Sequence, residues 1–236
     1  MSGPGSGSAS GSDTGDGGGQ SDPPSPGDTR DDLAERRGIE TEVYQPAEDS
    51  ALLAGAGVDC VAPDHRVLEV GTGSGWVAER VADEVGARVV ASDLNPAACR
   101  RARERAMAAR REGRPGYEGV RGDLVAPFRD EAFDAVLFNP PYLPTDPDAE
   151  WDDRMELALS GGETGRAVIE PFLDAVGRVL APDGFALLLV SSLTGFEAVL
   201  DLADAAGFDA DRVRQESYPF EVLTILRLTP RSSDNA

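Results

Sequence analysis

Residues 136–144 run Val-Leu-Phe-Asn-Pro-Pro-Tyr-Leu-Pro, an apolar segment that ends on an asparagine, two prolines and a tyrosine. A planar nitrogen, in a carboxamide or an exocyclic amine, is a poor nucleophile because its lone pair is delocalised. The Asn139 side-chain oxygen and the Pro140 backbone carbonyl can each accept one of its two N–H hydrogens. Those bonds orient the nitrogen and favour loss of its resonance as a methyl group arrives in line from a sulfonium. No strong base is required. Proline fixes φ and pushes the residue before it to extended geometry, so Pro140 and Pro141 hold Asn139 and the Pro140 carbonyl rigidly. Tyr142 can then cover the planar group. A proline-rich turn is the plain alternative, but a turn needs neither an asparagine directly after Leu137 and Phe138 nor an aromatic after the prolines.

A second cluster lies upstream. Glu69-Val-Gly71-Thr72-Gly73-Ser-Gly75-Trp joins an apolar strand to a helix, and three glycines let a ligand approach the backbone in front of a helix N-terminus. The G-x-G-x-G spacing is one residue tighter than the dinucleotide fingerprint. Asp93 follows about 20 residues beyond the glycines, where a carboxylate can accept both ribose hydroxyls. Leu94 and Asn95 complete that segment. Asp93 could instead cap the helix beginning at Pro96, although Asn95 stands better for the cap. Gly122-Asp123-Leu124 places another carboxylate at the same edge, suited to an adenine amino group or simply to a turn.

Positioning these residues requires an alternation of strands and helices. Strands are expected at 66–70, 88–92, 119–123, 133–138 and 184–192, with helices from Trp76, from Pro96 to about Arg111, from Glu163 to Leu180 and through 195–206. Two final strands, around 211–220 and 221–229, are separated by so little chain that they must pair as a hairpin, with one strand antiparallel. The pattern predicts an α/β fold with a seven-stranded, mostly parallel sheet covered on both faces. Such a sheet binds ligands at the carboxyl ends of its strands. A closing hairpin separates the Rossmann-like class I methyltransferase arrangement from a nicotinamide-binding one.

The 236 residues suit one core. Residues 1–30 are rich in Gly, Ser, Asp and Pro and are expected to form a disordered tail, with a catalytic domain over 31–230 and a short tail over 231–236. No apolar run reaches the roughly 18 residues of a membrane span, and the N-terminus has no signal-peptide pattern, so a soluble, cytoplasmic protein is expected. Acidic residues number 43 against 22 basic ones, every basic residue is arginine, and the net charge is −21. That surface suits concentrated salt, where self-repulsion is screened, and it opposes binding to a phosphate backbone. The run at 146–153, with Trp151, is either a substrate-facing loop or a solvated one. Cys60 and Cys99 are expected to be reduced thiols, no metal site is indicated, and His65 is expected at the surface.

The blocks at 42–54, 68–75, 93–96, 138–142 and 161–166 together resemble the HemK-type protein glutamine N5-methyltransferases, the short archaeal and eukaryotic branch above all. The likeness spans about residues 39–229. It implies an S-adenosylmethionine-dependent enzyme that methylates the glutamine of the Gly-Gly-Gln loop in a class I translation release factor. By matching position, Gly71, Gly73 and Gly75 approach the methionine part, Asp93 holds the ribose, and Asp123 with Leu124 flank the adenine. Asn139, Pro140, Pro141 and Tyr142 hold the target amide, while Tyr44, Pro46, Glu48, Asp49 and Ser50 close over cofactor and substrate. Gln45 stands where this branch often has an acidic residue. The resemblance further implies a heterodimer with a small zinc-binding activator that covers an exposed sheet edge.

The same clamp would fit adenine N6 in DNA or RNA, although the net charge and the lack of a target-recognition domain oppose it. Lysine methylation gains nothing from a clamp for a planar amide. A nicotinamide oxidoreductase fails on glycine spacing, and a non-catalytic scaffold has no need of an intact Asn-Pro-Pro-Tyr.

Overall fold

The computed structural model describes residues 47–144 and 160–231. In chain order the elements are α1 (Glu48–Cys60), β1 (Arg66–Val70), α2 (Trp76–Val85), β2 (Arg88–Asp93), α3 (Pro96–Arg111), β3 (Glu118–Arg121) and β4 (Phe133–Phe138). Then come α4 (Ile169–Val179), β5 (Leu180–Ser191), a turn of 3₁₀ helix, α5 (Phe196–Ala205), β6 (Phe208–Ser217) and β7 (Val222–Pro230).

The strands form one seven-stranded sheet in the order β3-β2-β1-β4-β5-β7-β6. β1 pairs in parallel with both β2 and β4, whereas β7 runs antiparallel to β5 and β6. The expected hairpin is therefore present, and its returning strand slots between β5 and β6. The order reverses at β1, which puts the crevice of this open sheet beyond the carboxyl ends of β1, β2 and β4.

Both faces are buried, so the central strands are mostly apolar rather than alternating apolar and polar. Val67, Leu137, Leu187 and Leu189 face one way, against Leu53, Val77 and Val81 of α1 and α2. Leu68, Val136, Phe138 and Leu188 face the other, against Phe172, Val176 and Val199 of α4 and α5. Among the described residues no helix is long and apolar enough to cross a membrane.

One expected boundary moves. The helix expected from Glu163 begins at Ile169, because Gly162 (φ +70) and Gly165 (φ +74) adopt left-handed backbone that a right-handed helix cannot continue. Residues 161–166 form a closed turn instead, with the Ala167 amide donating to the Gly161 carbonyl at 2.9 Å. Tyr44, Gln45, Pro46, the acidic run with Trp151, residues 1–30 and residues 232–236 lie outside the described residues.

Candidate active site

A cavity of about 770 Å³ opens at the carboxyl ends of β1, β2 and β4, within the ~300–1,000 Å³ range of small-molecule sites. Its wall brings together Glu69, Gly71, Thr72, Gly73, Asp93, Leu94, Asn95, Asp123, Leu124, the run Asn139–Tyr142, and Asp49 and Ser50 from α1. Five separate segments of the chain thus meet in one crevice. Two expected residues stand back from it. Glu48 begins α1 without lining the cavity. Gly75 is buried behind the loop, where an added Cβ would come within 2.0 Å of the Tyr117 hydroxyl oxygen and 3.0 Å of the Ala102 Cα. Its positive φ of 78° and this close packing account for the third glycine without a ligand.

The glycine loop is held from both sides. The Thr72 amide donates to the Ser92 carbonyl at 2.9 Å, and the Gly73 amide donates to Asp93 Oδ2 at 2.9 Å. Glu69 lies under the first turn of α2, where its Oε2 accepts Thr72 Oγ1 at 2.5 Å and the Ala78 amide at 3.0 Å. Burial pushes the Glu69 carboxyl up to about 8 against the pull of those two donors, and the nearby Asp93 charge adds to the rise. At neutral pH Glu69 is therefore mainly protonated.

Asp93 and Asn95 separate the two roles that the sequence left open. Asn95 Oδ1 accepts the Ala97 amide at 2.9 Å and caps α3, with Pro96 at the first helical position. Asp93 turns back to the glycine loop with Oδ2 and accepts the Asn95 amide on Oδ1 at 2.8 Å. Burial raises its carboxyl above the ordinary range, opposed by hydrogen bonds from the Gly73, Asn95 and Leu94 amides. Leu94 is 60% exposed at the rim. Leu124, across the cavity wall, holds φ +44, a left-handed backbone rare outside glycine, asparagine and aspartate and a mark of a site where shape outranks local energy.

At the other end of the cavity, Asn139 Oδ1 is buried and has no hydrogen-bond partner among the described residues. Buried oxygens are normally paired, and leaving one unpaired costs about 1–3 kcal/mol. A ligand donor is the partner this geometry lacks. Tyr142 is 3% exposed and packs into the core behind the clamp. Gly71 joins clamp to loop: its missing Cβ would stand 3.4 Å from the Phe138 ring and 3.8 Å from the Asn139 carbonyl oxygen.

The family model described as "Methyltransferase domain" matches residues 67–162. A Methanocaldococcus jannaschii protein named as a protein N5-glutamine methyltransferase is 34% identical over 188 residues, covering 80% of this chain and 92% of that one. The chain belongs to the protein N5-glutamine methyltransferase family. Human methyltransferase HEMK2 is 32% identical over 202 residues, again covering 92% of the relative. Among solved structures, a chain of the E. cuniculi Mtq2–Trm112 complex, described as responsible for the methylation of the eRF1 translation termination factor, matches with a TM-score of 0.62 at 28% identity. That match covers 81% of this chain and all of the other.

This glutamine methyltransferase contains wall residues that the sequence reading passed over. Gly162, Ala167 and Val168 line the cavity from the turn after the undescribed segment. Ser160 pairs with Leu143 in an isolated parallel bridge, and the Gly161 amide donates to the Leu143 carbonyl at 2.9 Å. Their signal was in plain view: three glycines within five residues, 161–165, are more than a helix start needs.

Proposed function

We propose that this methyltransferase uses S-adenosylmethionine to methylate the glutamine side-chain amide in the Gly-Gly-Gln loop of a class I translation release factor. The observation that carries the reading is the buried, unpartnered Asn139 Oδ1 at the end of the cavity. An acceptor there selects a ligand with an N–H, and the neighbouring Pro140, which has no N–H of its own, supplies a carbonyl as the second acceptor.

S-adenosylmethionine, when bound, supplies a methyl group on a sulfonium sulfur. The cavity suits it in size, and carboxylates at the ends of β2 and β3 suit a nucleoside. Asp93 accepts the ribose hydroxyls, Asp123 and Leu124 flank the adenine, and Gly71 to Gly73 leave room for the methionine part. Asp49 and Ser50 form the facing wall.

Asn139 and Pro140 hold the two amide hydrogens in a fixed plane, so the nitrogen lone pair is aimed along the cavity. As the nitrogen lone pair forms its bond to the methyl carbon, the carbon–sulfur bond would break with its electron pair left on sulfur; the positive charge gathering on nitrogen strengthens both N–H hydrogen bonds to the clamp, and one of those protons then leaves to solvent. The clamp thus binds best the state in which amide resonance is lost, which is where acceleration arises.

The same reading gives the chain a small zinc-binding activator as its partner. β3 is an edge strand, and edges of this kind need cover. α3 beside it carries Arg100, Arg101 and Arg111, none of which has an ion-pair partner among the described residues. An acidic partner surface suits that helix.

The test is labelled methyl transfer in concentrated salt, with and without the activator. The substrates offered are release factor, its Gly-Gly-Ala variant and a DNA duplex. Label on the unaltered factor alone supports the proposal, and label on DNA contradicts it. S-adenosylhomocysteine should raise the melting temperature by mass action while NAD leaves it unchanged.

A further inference from the structure

We infer that the glycine turn at residues 160–168 is the positioning element of the amide clamp, with Gly165 as the residue that sets it. This inference rests on the reading of Asn139 to Tyr142 as the substrate clamp. Gly165 is buried, holds φ +74, and has no side chain, so its backbone lies directly against the clamp: a Cβ there would stand 2.6 Å from the Tyr142 carbonyl oxygen and 3.1 Å from Thr194 Cγ2. Gly161 is equally tight, its missing Cβ pointing at 2.6 Å into the backbone of Gly165. Two glycines therefore stack between the chain ends and leave no slack behind Tyr142.

The turn is tied on three sides. The Gly161 amide donates to the Leu143 carbonyl, one residue past the clamp, at 2.9 Å. The Ala167 amide closes the turn on the Gly161 carbonyl at 2.9 Å. Arg166 donates through its guanidinium to the Thr194 carbonyl, and Thr194 Oγ1 in turn donates to the Ser191 carbonyl at 2.7 Å. The end of β5 thus anchors the turn, and the turn fixes the chain that leaves β4. Two prolines stiffen Asn139 from within, but stiffness alone does not set where the rigid unit points. A brace behind Tyr142 does.

Displacing a reacting group by an ångström costs up to roughly 10²-fold in rate. Gly165→Ala should therefore lower kcat on release factor by roughly 10- to 100-fold, with the affinity for S-adenosylhomocysteine unchanged. Hydrogen exchange supplies a readout that does not depend on the substrate: amides of the segment 138–144 should exchange faster in the variant, while those of 68–75 keep their protection. Arg166→Gln, which removes the anchor without adding an atom, should show the same pattern in weaker form if Gly165→Ala does not fold.

Unchanged exchange at 138–144 in a folded variant overturns the inference, as does an equal loss of protection in both segments, which marks general loosening. If the unaltered enzyme leaves release factor unlabelled, the substrate reading falls, and the exchange pattern still decides the role of the turn.

Discussion

The Gly73 amide donates to Asp93 Oδ2 at 2.9 Å, so the end of β2 holds the loop that leaves β1. One carboxylate thereby shapes the glycine loop with Oδ2 while its Oδ1 accepts the Asn95 amide at 2.8 Å and holds the start of α3.

Asp93→Ala should weaken S-adenosylhomocysteine binding by about 10- to 100-fold, the range expected when hydrogen bonds to a charged group worth ~1.5–3 kcal/mol are lost. Isothermal titration checks it. An unchanged dissociation constant would confine Asp93 to its loop-holding role.

Asn139→Ala should fold and bind S-adenosylhomocysteine as the unaltered enzyme does, yet lose at least ~10²-fold in single-turnover transfer, as removal of one preorganised polar contact does elsewhere. Stability should not fall, because the Asn139 oxygen has no partner among the described residues to lose.

Glu69 gives the folded state a pH dependence. Its folded pKa of about 8 lies above the ordinary carboxylate value, so the native state holds a proton that the unfolded chain has released. Stability therefore falls as pH rises from about 4.5 toward 8 and levels off above it. Asp93, also raised, acts in the same direction at the lower end. Glu69→Gln should flatten the decline in melting temperature between neutral pH and pH ~9. An equal slope in both proteins would place the proton elsewhere.

Tyr117→Phe should leave stability unchanged or raise it by up to about 1 kcal/mol. The Tyr117 hydroxyl is buried behind Gly75 without a hydrogen-bond partner among the described residues, and burial raises its pKa further above the ordinary tyrosine range. Chemical denaturation measures the difference.

Much of this was legible in the residues because local chemistry and the global fold agree. The short, mostly apolar runs at 66–70 and 133–138, bounded by glycine and proline, have the length and composition of strands covered on both faces, and Asn95-Pro96 has the pattern of a helix cap and first residue. The helix start expected at Glu163 falls instead at Ile169, because an acidic residue ahead of an apolar helical run looks like a first turn, while the positive φ of Gly165 answers to Tyr142, some 20 residues away in sequence. Gly75 was misassigned for a related reason: a glycine kept for packing against Tyr117 looks the same in sequence as one kept for a ligand. Glu69 was grouped with the glycine loop, but its proton depends on burial under α2, which no local pattern states.

The most direct test of the amide clamp is to find where the methyl group lands. Release factor labelled by the enzyme in a single turnover, digested and fragmented by mass spectrometry, should carry one methyl group on the side-chain nitrogen of the Gly-Gly-Gln glutamine. A methyl group on a lysine amine of the factor, with that glutamine unmodified, would contradict a site built around Asn139 and Pro140 for a planar amide.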